Sequence, residues 1–302
     1  MDIKNIFGIY RERSHSPERE FDDSEILRLC AEKLSERLDK RVPLLTPEEF
    51  LALSIDFNPE LIFFMCEETP CLEKLAKFEA NRGCLLINSV QGVENTFREN
   101  MLKLLAPKDY FPKSKIISTT TKPNDIGSND EFWLKRGDYH AIEKEDVLFV
   151  KGQRELLEKL ERFYQRGINS VILQDHIPGD IIKFYCIKDS YQNRDYWFKW
   201  FYHKEQDLKK YPFSKDELYK KCHDAGDSLG LEIYGGDAIV RRDGQIFIID
   251  INAWPSFALF RQKASDAISD LLYNRLVLRK KSGLKLLKQK RMTESFSFSS
   301  QS

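Results

Sequence analysis

The 302-residue sequence has no surplus of charge, since 48 basic residues balance 48 acidic ones. No global field therefore draws the chain to nucleic acid or to a membrane surface. No apolar run approaches the ~20 residues that span a bilayer, so no transmembrane helix is expected. The opening MDIKNIFGIYRERS has no apolar segment long enough for a signal peptide. The six cysteines (Cys30, Cys66, Cys71, Cys84, Cys186 and Cys222) form no CxxC pair, and the five histidines form no HExxH or HxxxH cluster. That spacing argues against a zinc site and for buried, reduced thiols in a cytoplasmic protein. No internal repeat is present.

What the chain does have is globular texture, with 41% hydrophobic residues and a length that suits two or three subdomains. Through residue 94, short apolar runs alternate with helical patterns. Ile3–Ile9, Val42–Leu45, Leu61–Met65 and Cys84–Asn88 read as strands. Helices are expected from Asp23-Ser24 to Leu38, from Pro47, and over Cys71–Asn81. This alternation predicts a parallel sheet covered on both faces. Asn95–Leu105 reads as a helix and Thr119–Asn129 as a loop. From Phe132 the pattern changes to α+β. Strands are expected at Phe132–Lys135, Val147–Lys151, Ser170–His176, Ile181–Ile187 and Tyr196–His203. Helices follow at Gln153–Gln165, Ser214–Leu229 and Ala264–Val277. Residues 95–278 form the second unit, and 279–302 a flexible basic, Ser-rich tail.

The stretch Gly235–Asn252 carries the chemistry. Two apolar runs flank Asp243-Gly244, a strong hairpin signal. A two-residue turn puts Arg242 opposite Gln245, Val240 opposite Phe247 and Asp237 opposite Asp250. Opposed residues have Cβ atoms roughly 4.5–5.5 Å apart, where like charges repel. Asn252, two residues on, shares the face of Asp250. A turn at Arg242-Asp243 would set Asp237 opposite Ile248 and keep the three groups on one face; a three-residue turn would break the pairing. Two carboxylates and an amide oxygen converging on an apolar hairpin suit a hard cation such as Mg²⁺.

On these residues the chain resembles the ATP-grasp superfamily, from about Asn88 to Phe257. The superfamily's final hairpin has the form G-x-D, a turn, then acidic-x-Asn-x-x-Pro. Here these are Gly235-Gly236-Asp237 and Asp250-Ile251-Asn252-Ala253-Trp254-Pro255. The resemblance implies an N-terminal parallel-sheet subdomain followed by two α+β subdomains clamping ATP. Asp237, Asp250 and Asn252 would hold Mg²⁺ on the ATP phosphates. Phe132-Trp133-Leu134-Lys135 is similar to the strand whose lysine contacts phosphates. Leu173–Asp180 resembles the adenine hinge, with Gln174, Asp175, His176 and Ile177 beside the base and Asp180 at the ribose. Lys183 follows on the strand leaving the hinge. Two features depart from the pattern. Arg98 stands where a lysine is common, and no glycine-rich loop covers the phosphates beyond Arg136-Gly137-Asp138.

Most of the superfamily joins carboxylates to amines, and a minority phosphorylates alcohols. Three details resemble the inositol-phosphate kinases of that minority. The acidic ligand is Asp250 rather than glutamate. Ile182-Lys183-Phe184-Tyr185 matches a Lys-x-Tyr pattern. The first strand runs into a loop bearing Arg11, Arg13 and His15, placed where α/β sheets bind ligands. The expectation is Mg-ATP-dependent phosphoryl transfer to a small, anionic acceptor held by Arg11, Arg13 and His15, with Lys135, Lys183 and Arg98 as catalytic cations. A carboxylate–amine ligase and a non-catalytic ATP-binding protein are the alternatives. The aromatic run Trp197–Tyr202 with the basic tail is the one hint of nucleic-acid binding, and a strand so dense in aromatics reads as core.

Overall fold

Period-two alternation in the first strands sends successive side chains to two different cores. Phe7 and Ile9 of β1 (Ile6–Ile9), with Ile62 and Phe64 of β3 (Leu61–Phe64), enter one core with Phe50 and Phe78. Ile6, Leu61 and Phe63 enter the other, with Ile26, Leu27 and Leu34. Both faces of this sheet are thus buried, as parallel sheets require. The strand order is β2-β1-β3-β4, all parallel, with β2 at Leu44–Leu45 and β4 at Leu85–Ile87. Helix α1 (Glu20–Leu38) covers one face, and α2 (Pro47–Ala52) and α3 (Thr69–Arg82) cover the other. The computed structural model describes residues 5–16, 20–123, 126–139, 141, 143–188 and 197–298, without the side chains of 81, 82 and 280–298.

Two short helices follow, α4 (Val90–Asn95) and α5 (Arg98–Leu105). Ser89 caps α4 by accepting the Gly92 amide at 3.0 Å. The helix expected over Asn95–Leu105 starts later, as α5 at Arg98; α4 before it was not expected and ends at Asn95, with Thr96-Phe97 between them. The second sheet is antiparallel, in the order β5-β8-β6-β7. Its strands are β5 (Ser114–Ser118), β6 (Glu131–Arg136), β7 (Val147–Lys151) and β8 (Ser170–Asp175), and α6 (Gly152–Gln165) packs on one face. β5 was not expected, because its mostly exposed Ser-Lys-Ile-Ile-Ser lacks apolar alternation.

The third sheet is antiparallel in the order β10-β9-β11-β12. It is built from β9 (Asp180–Ile187), β10 (Trp197–Tyr202), β11 (Ile233–Val240) and β12 (Ile246–Ala253), with α7 (Lys215–Leu229) preceding the last hairpin. Residues 176–179 connect β8 to β9 and so link the two antiparallel sheets. Asn88 ties the first sheet to the third. Its Nδ2 donates to the Ile233 carbonyl, and its Oδ1 accepts the amides of Glu232 and Ile233, all at 2.8 Å. β10 presents Trp197 and Phe201 to Phe260 on one side, and Trp200 to Phe213 on the other. The aromatics are packing residues, as expected. Helix α8 runs Arg261–Phe298, past the expected end at Val277. The run beyond is rich in Lys, Leu and Arg and free of Pro, a composition that favours helix. Among the described residues no helix is long and apolar enough to cross a membrane, and the six cysteines are free and buried.

Candidate functional site

The hairpin reaches its register by an unexpected route. Arg241 N donates to Gln245 O at 2.9 Å and Gly244 N to Arg241 O at 3.0 Å. The turn therefore holds three residues, Arg242, Asp243 and Gly244, the last at φ +82°. Val240 consequently faces Ile246 rather than Phe247. Alone, this turn would put Asp237 opposite Ile249. A β-bulge between Asp237 and Ala238 absorbs one residue of β12, Ile249, and restores the Asp237–Asp250 pair. The bulge also changes the parity of the strand. Ile246 and Ile248 are buried before it, and Ile251 and Ala253 after it, while Asp250 and Asn252 are only half-buried. Under strict alternation Asp250 and Asn252 would share the buried face of Ile246 and Ile248.

Lys183 of β9 lies directly opposite Asp237, so Lys183, Asp237 and Asp250 form one cross-strand row. Lys183 Nζ is 2.9 Å from Asp237 Oδ1, a close ion pair. That oxygen is buried. In the next row on the same face, Tyr185 and Asn252 flank Gly235. A Cβ on Gly236 would come within 2.2 Å of the Asp250 carbonyl oxygen, which explains why glycine stands there.

Two more cations approach from outside the sheet. Lys135 of β6 is buried and donates to the Ile249 carbonyl at 2.9 Å. Burial pushes its ammonium down to about 8; Asp250 opposes that shift, Arg98 adds to it, and Asp237 opposes it. Arg98, at the start of α5, is buried with Nη2 3.8 Å from Asp250 Oδ2. Its Nη1 is held near the carbonyls of Arg136 and Tyr139, and its Nε makes no hydrogen bond among the described residues. Three cations around two carboxylates leave a net positive centre that still offers carboxylate and amide oxygens. An oxygen-only donor set of two opposed carboxylates and a neighbouring amide oxygen fits Mg²⁺ held by Asp237, Asp250 and Asn252.

This centre forms one wall of a cavity of about 760 Å³, which Lys183, Tyr185, Asp237, Asp250 and Asn252 all line. The opposite wall comes from the loop after β1 and the turn after β3. Arg11 and His15 line it, whereas Arg13 is exposed and lies outside. The expected basic character does not survive. Arg11 lies 3.6 Å from Asp23 and 3.5 Å from Glu67, and its Nη2 donates to the carbonyls of Ala253 and Trp254. His15 lies 3.8 Å from both Glu67 and Glu68. Burial lowers the affinity of His15 for a proton, but Glu67, Glu12 and Glu68 outweigh it and raise its titration above the ordinary range. Asp23, Glu67, Tyr139, Glu143 and Lys144 also line the cavity and were not singled out in the sequence. Glu67 had a signal, since it follows the carboxyl end of a parallel strand. The segment after β6 carries Tyr139, Glu143 and Lys144 over the cavity in place of a glycine-rich loop. Its His140 and Ile142 lie outside the described residues.

The hinge residues do not line this cavity. Gln174 is buried, with its Nε2 donating to Ser114 Oγ at 3.2 Å, so its side chain serves the second sheet. The amide of Asp175 is taken by Lys113 O and that of His176 by Glu131 O. Ile177 is half-buried in the link to β9. Asp180 departs from its expected role. It is buried, and its two oxygens accept the amides of Lys209 at 2.7 Å and Tyr211 at 2.8 Å. It anchors the segment after β10, and both its oxygens are already engaged.

No family model and no curated protein matches the chain. Solved structures do. D-alanyl-alanine synthetase A from Vibrio cholerae superimposes with a TM-score of 0.67 at 11% identity, over 92% of this chain and 99% of that one. The D-alanine–D-alanine ligase from Coxiella burnetii gives 0.63 at 13%, over 96% and 100%. A RimK domain ATP-grasp protein from Sphaerobacter thermophilus gives 0.62 at 14%, over 89% and 99%. The chain has the ATP-grasp fold.

Proposed function

We propose that the chain is a Mg²⁺- and ATP-dependent ligase that phosphorylates a substrate carboxylate and joins it to an amine. The cavity wall facing the metal carboxylates carries the choice. Arg11 and His15 are already matched by Asp23, Glu67 and Glu68, so the wall lacks the spare positive charge that a phosphorylated acceptor needs. It suits a small molecule bearing an amine. Two of the solved neighbours are named as a ligase and a synthetase, which agrees with this reading.

Asp237, Asp250 and Asn252 would hold the Mg²⁺. The ion, when bound, supplies positive charge among the ATP phosphate oxygens. Lys135 and Lys183 would hold the phosphates beside it, and Arg98 would offset charge building on the transferred group. A carboxylate oxygen of the substrate bonds to the γ-phosphorus as the bond to the ADP oxygen breaks. The amine nitrogen then bonds to the acyl carbon, inorganic phosphate departs, and the amine gives up a proton. Glu67 and Asp23 would orient the amine, and Tyr139 and Lys144 would restrict water.

A second reading, phosphoryl transfer to an alcohol, is favoured by Tyr185 entering the cavity beside Lys183 in the kinase-like Lys-x-Tyr arrangement. A screen of ADP release separates the two, using amino acids and peptides against polyols and sugar or inositol phosphates. Inorganic phosphate with a new amide supports the ligase. A phosphorylated acceptor supports the kinase and overturns the ligase. No ADP with any acceptor leaves an ATP-binding protein without turnover.

A further inference from the structure

Behind the wall that faces the metal carboxylates, the fold gathers three ligand-type side chains that lie apart in sequence. β1 and β3 are parallel neighbours whose last residues pair, Ile9 with Phe64, so the segments that leave them meet. Glu12 comes from the loop after β1, Cys66 from the turn after β3, and Cys71 from the first turn of α3. A carboxylate oxygen of Glu12 and the sulfurs of Cys66 and Cys71 all lie within 4.8 Å of one another. All three residues are buried. They lie outside the lining of the cavity, to which Arg11, His15 and Glu67 belong.

Two sulfurs and one carboxylate oxygen are donors that zinc takes from proteins, and the thiolates disfavour the hard Mg²⁺. Ligands roughly 2.0–2.3 Å from a tetrahedral zinc stand about 3.3–3.8 Å from one another, so the three atoms reach that geometry by shared shifts of about 1 Å. Glu12 is held in place by backbone. Its two oxygens accept the Glu67 amide at 3.2 and 2.9 Å, and Oε1 also accepts the Glu68 amide at 3.1 Å. These donors do not exhaust the roughly four acceptor sites of a carboxylate, and ligating carboxylates are themselves oriented by such bonds. Burial raises the pKa of Glu12 above the ordinary carboxylate range, and the amides offset this only in part. Burial, and a hydrogen bond with Cys71, hold the Cys66 thiol protonated well above its usual range. A dication that displaces two thiol protons leaves the net charge of this buried place unchanged, so desolvation does not oppose it as it would a lone ion.

We propose that Glu12, Cys66 and Cys71 form a zinc site, separate from the Mg²⁺ centre, that clasps the loop after β1 to the turn after β3. The two S–H bonds break, two sulfur–zinc bonds form, and both protons pass to solvent. The Glu12 carboxylate is the third ligand, and a fourth position stays open to water. The clasp fixes the turn that carries Glu67 toward Arg11 and His15, and it does not depend on which reaction the cleft performs. Both cysteines also pack in the core with Phe50 and Phe64. Thiols that only fill that core bind no ion, which is the alternative the test removes.

The full chain, reduced and stripped with a chelator, is loaded with Zn²⁺ or Co²⁺ in excess Mg²⁺, which competes at Asp237 and Asp250. Expected are one retained zinc per chain by elemental analysis, a sulfur-to-cobalt charge-transfer band in the near ultraviolet, and release of two protons per ion. Affinity should therefore rise roughly a hundredfold per pH unit while both thiols are protonated. Cys66→Ser and Cys71→Ser should each weaken binding roughly tenfold or more and diminish the band. Glu12→Gln should weaken binding by a similar factor and keep the band. Zinc lost in excess Mg²⁺, a cobalt spectrum without the sulfur band, or binding unchanged in any of the three variants overturns the site. The cobalt spectrum and the proton release are read on the parent chain, so they decide even where a variant fails to fold.

Discussion

Lys135 Nζ donates to the carbonyl oxygen of Ile249 at 2.9 Å, and Ile249 is the residue of β12 with no opposite number on β11. The bulge that aims Asp250 at Asp237 thus also presents the acceptor that holds Lys135. One irregularity in one strand sets two carboxylates and a buried ammonium in a single place, and it joins the second sheet to the third across the cleft.

Lys135 pays for that position in stability. Burial depresses its ammonium from 10.5 to about 8, a penalty on the charged form of roughly 3 kcal/mol. The unfolded chain holds this proton up to higher pH than the folded chain does. The penalty is therefore fully present below about 8 and disappears as pH rises toward 10.5. Lys135→Met removes the charge and keeps the length. Its expected phenotype is a protein at least as stable as the parent at pH 7, without the parent's gain in stability between pH 8 and 10.5. The same variant should bind ATP roughly tenfold or more weakly and adenosine unchanged. Denaturant melts across pH and parallel titrations of the two ligands check this. Equal losses for ATP and adenosine would place Lys135 away from the phosphates.

Much of this was legible in the sequence. The parallel sheet and the α+β character of the second unit followed from periodicity, its division into two subdomains was implied by the family resemblance, and the Asp237–Asp250 pair was anticipated from the Asp243-Gly244 hairpin signal with the wrong turn. The turn was misread because Asp-Gly fits both a two-residue turn and a three-residue turn closing on a left-handed glycine. The strand itself held a clue, since Ile246 and Ile248 are even and the buried Ile251 and Ala253 are odd, a change of parity that marks a bulge. The wall opposite was less readable. Arg11 looked like an anion binder because Asp23 and Glu67 are distant in sequence and meet it only in the fold. Asp180 was assigned by motif, but its partners at 209 and 211 come from a later loop.

Asp250→Asn tests the metal centre with little change of shape. Asp237 and Asp250 repel each other when no cation lies between them, and Arg98 and Lys183 offset this only from the outside. The variant should stay folded and lose Mg²⁺-dependent ATP binding by roughly a hundredfold or more, as expected for removal of a carboxylate ligand from a hard cation. Calorimetry with and without Mg²⁺ measures it. Unchanged Mg²⁺ dependence would remove Asp250 from the ligand set.

Gly236→Ala acts on the same centre through the backbone. The new methyl would meet the Asp250 carbonyl oxygen at 2.2 Å and the Phe184 ring at 2.8 Å. The first contact is with backbone, so β12 must move away from β11. A loss of roughly 1–3 kcal/mol is expected from the forced fit, with weaker Mg-ATP binding because Asp250 moves with its strand. Denaturant unfolding and nucleotide titration on the same preparation check both. A variant as stable as the parent with unaltered binding would mean the two strands separate without cost.

Asp180 separates anchoring from nucleotide recognition. Its carboxylate is buried, and its two oxygens accept the amides of Lys209 and Tyr211. Asp180→Ala leaves both amides without that acceptor, at a cost of roughly 3–6 kcal/mol when each charged hydrogen bond is worth about 1.5–3. Asp180→Asn keeps one acceptor oxygen and places an amide group against the second donor, so its loss should fall between Ala and the parent. A ribose-binding carboxylate would instead reveal itself by chemistry at the sugar. The ratio of affinities for ATP and its 2′- and 3′-deoxy analogues would collapse in either variant, while stability stayed near that of the parent. The anchoring role predicts the reverse: graded destabilisation, and a ratio preserved in Asp180→Asn even where both affinities drop together. The paired measurement is decisive because the two roles load different quantities. A collapsed ratio with intact stability would return Asp180 to the ribose.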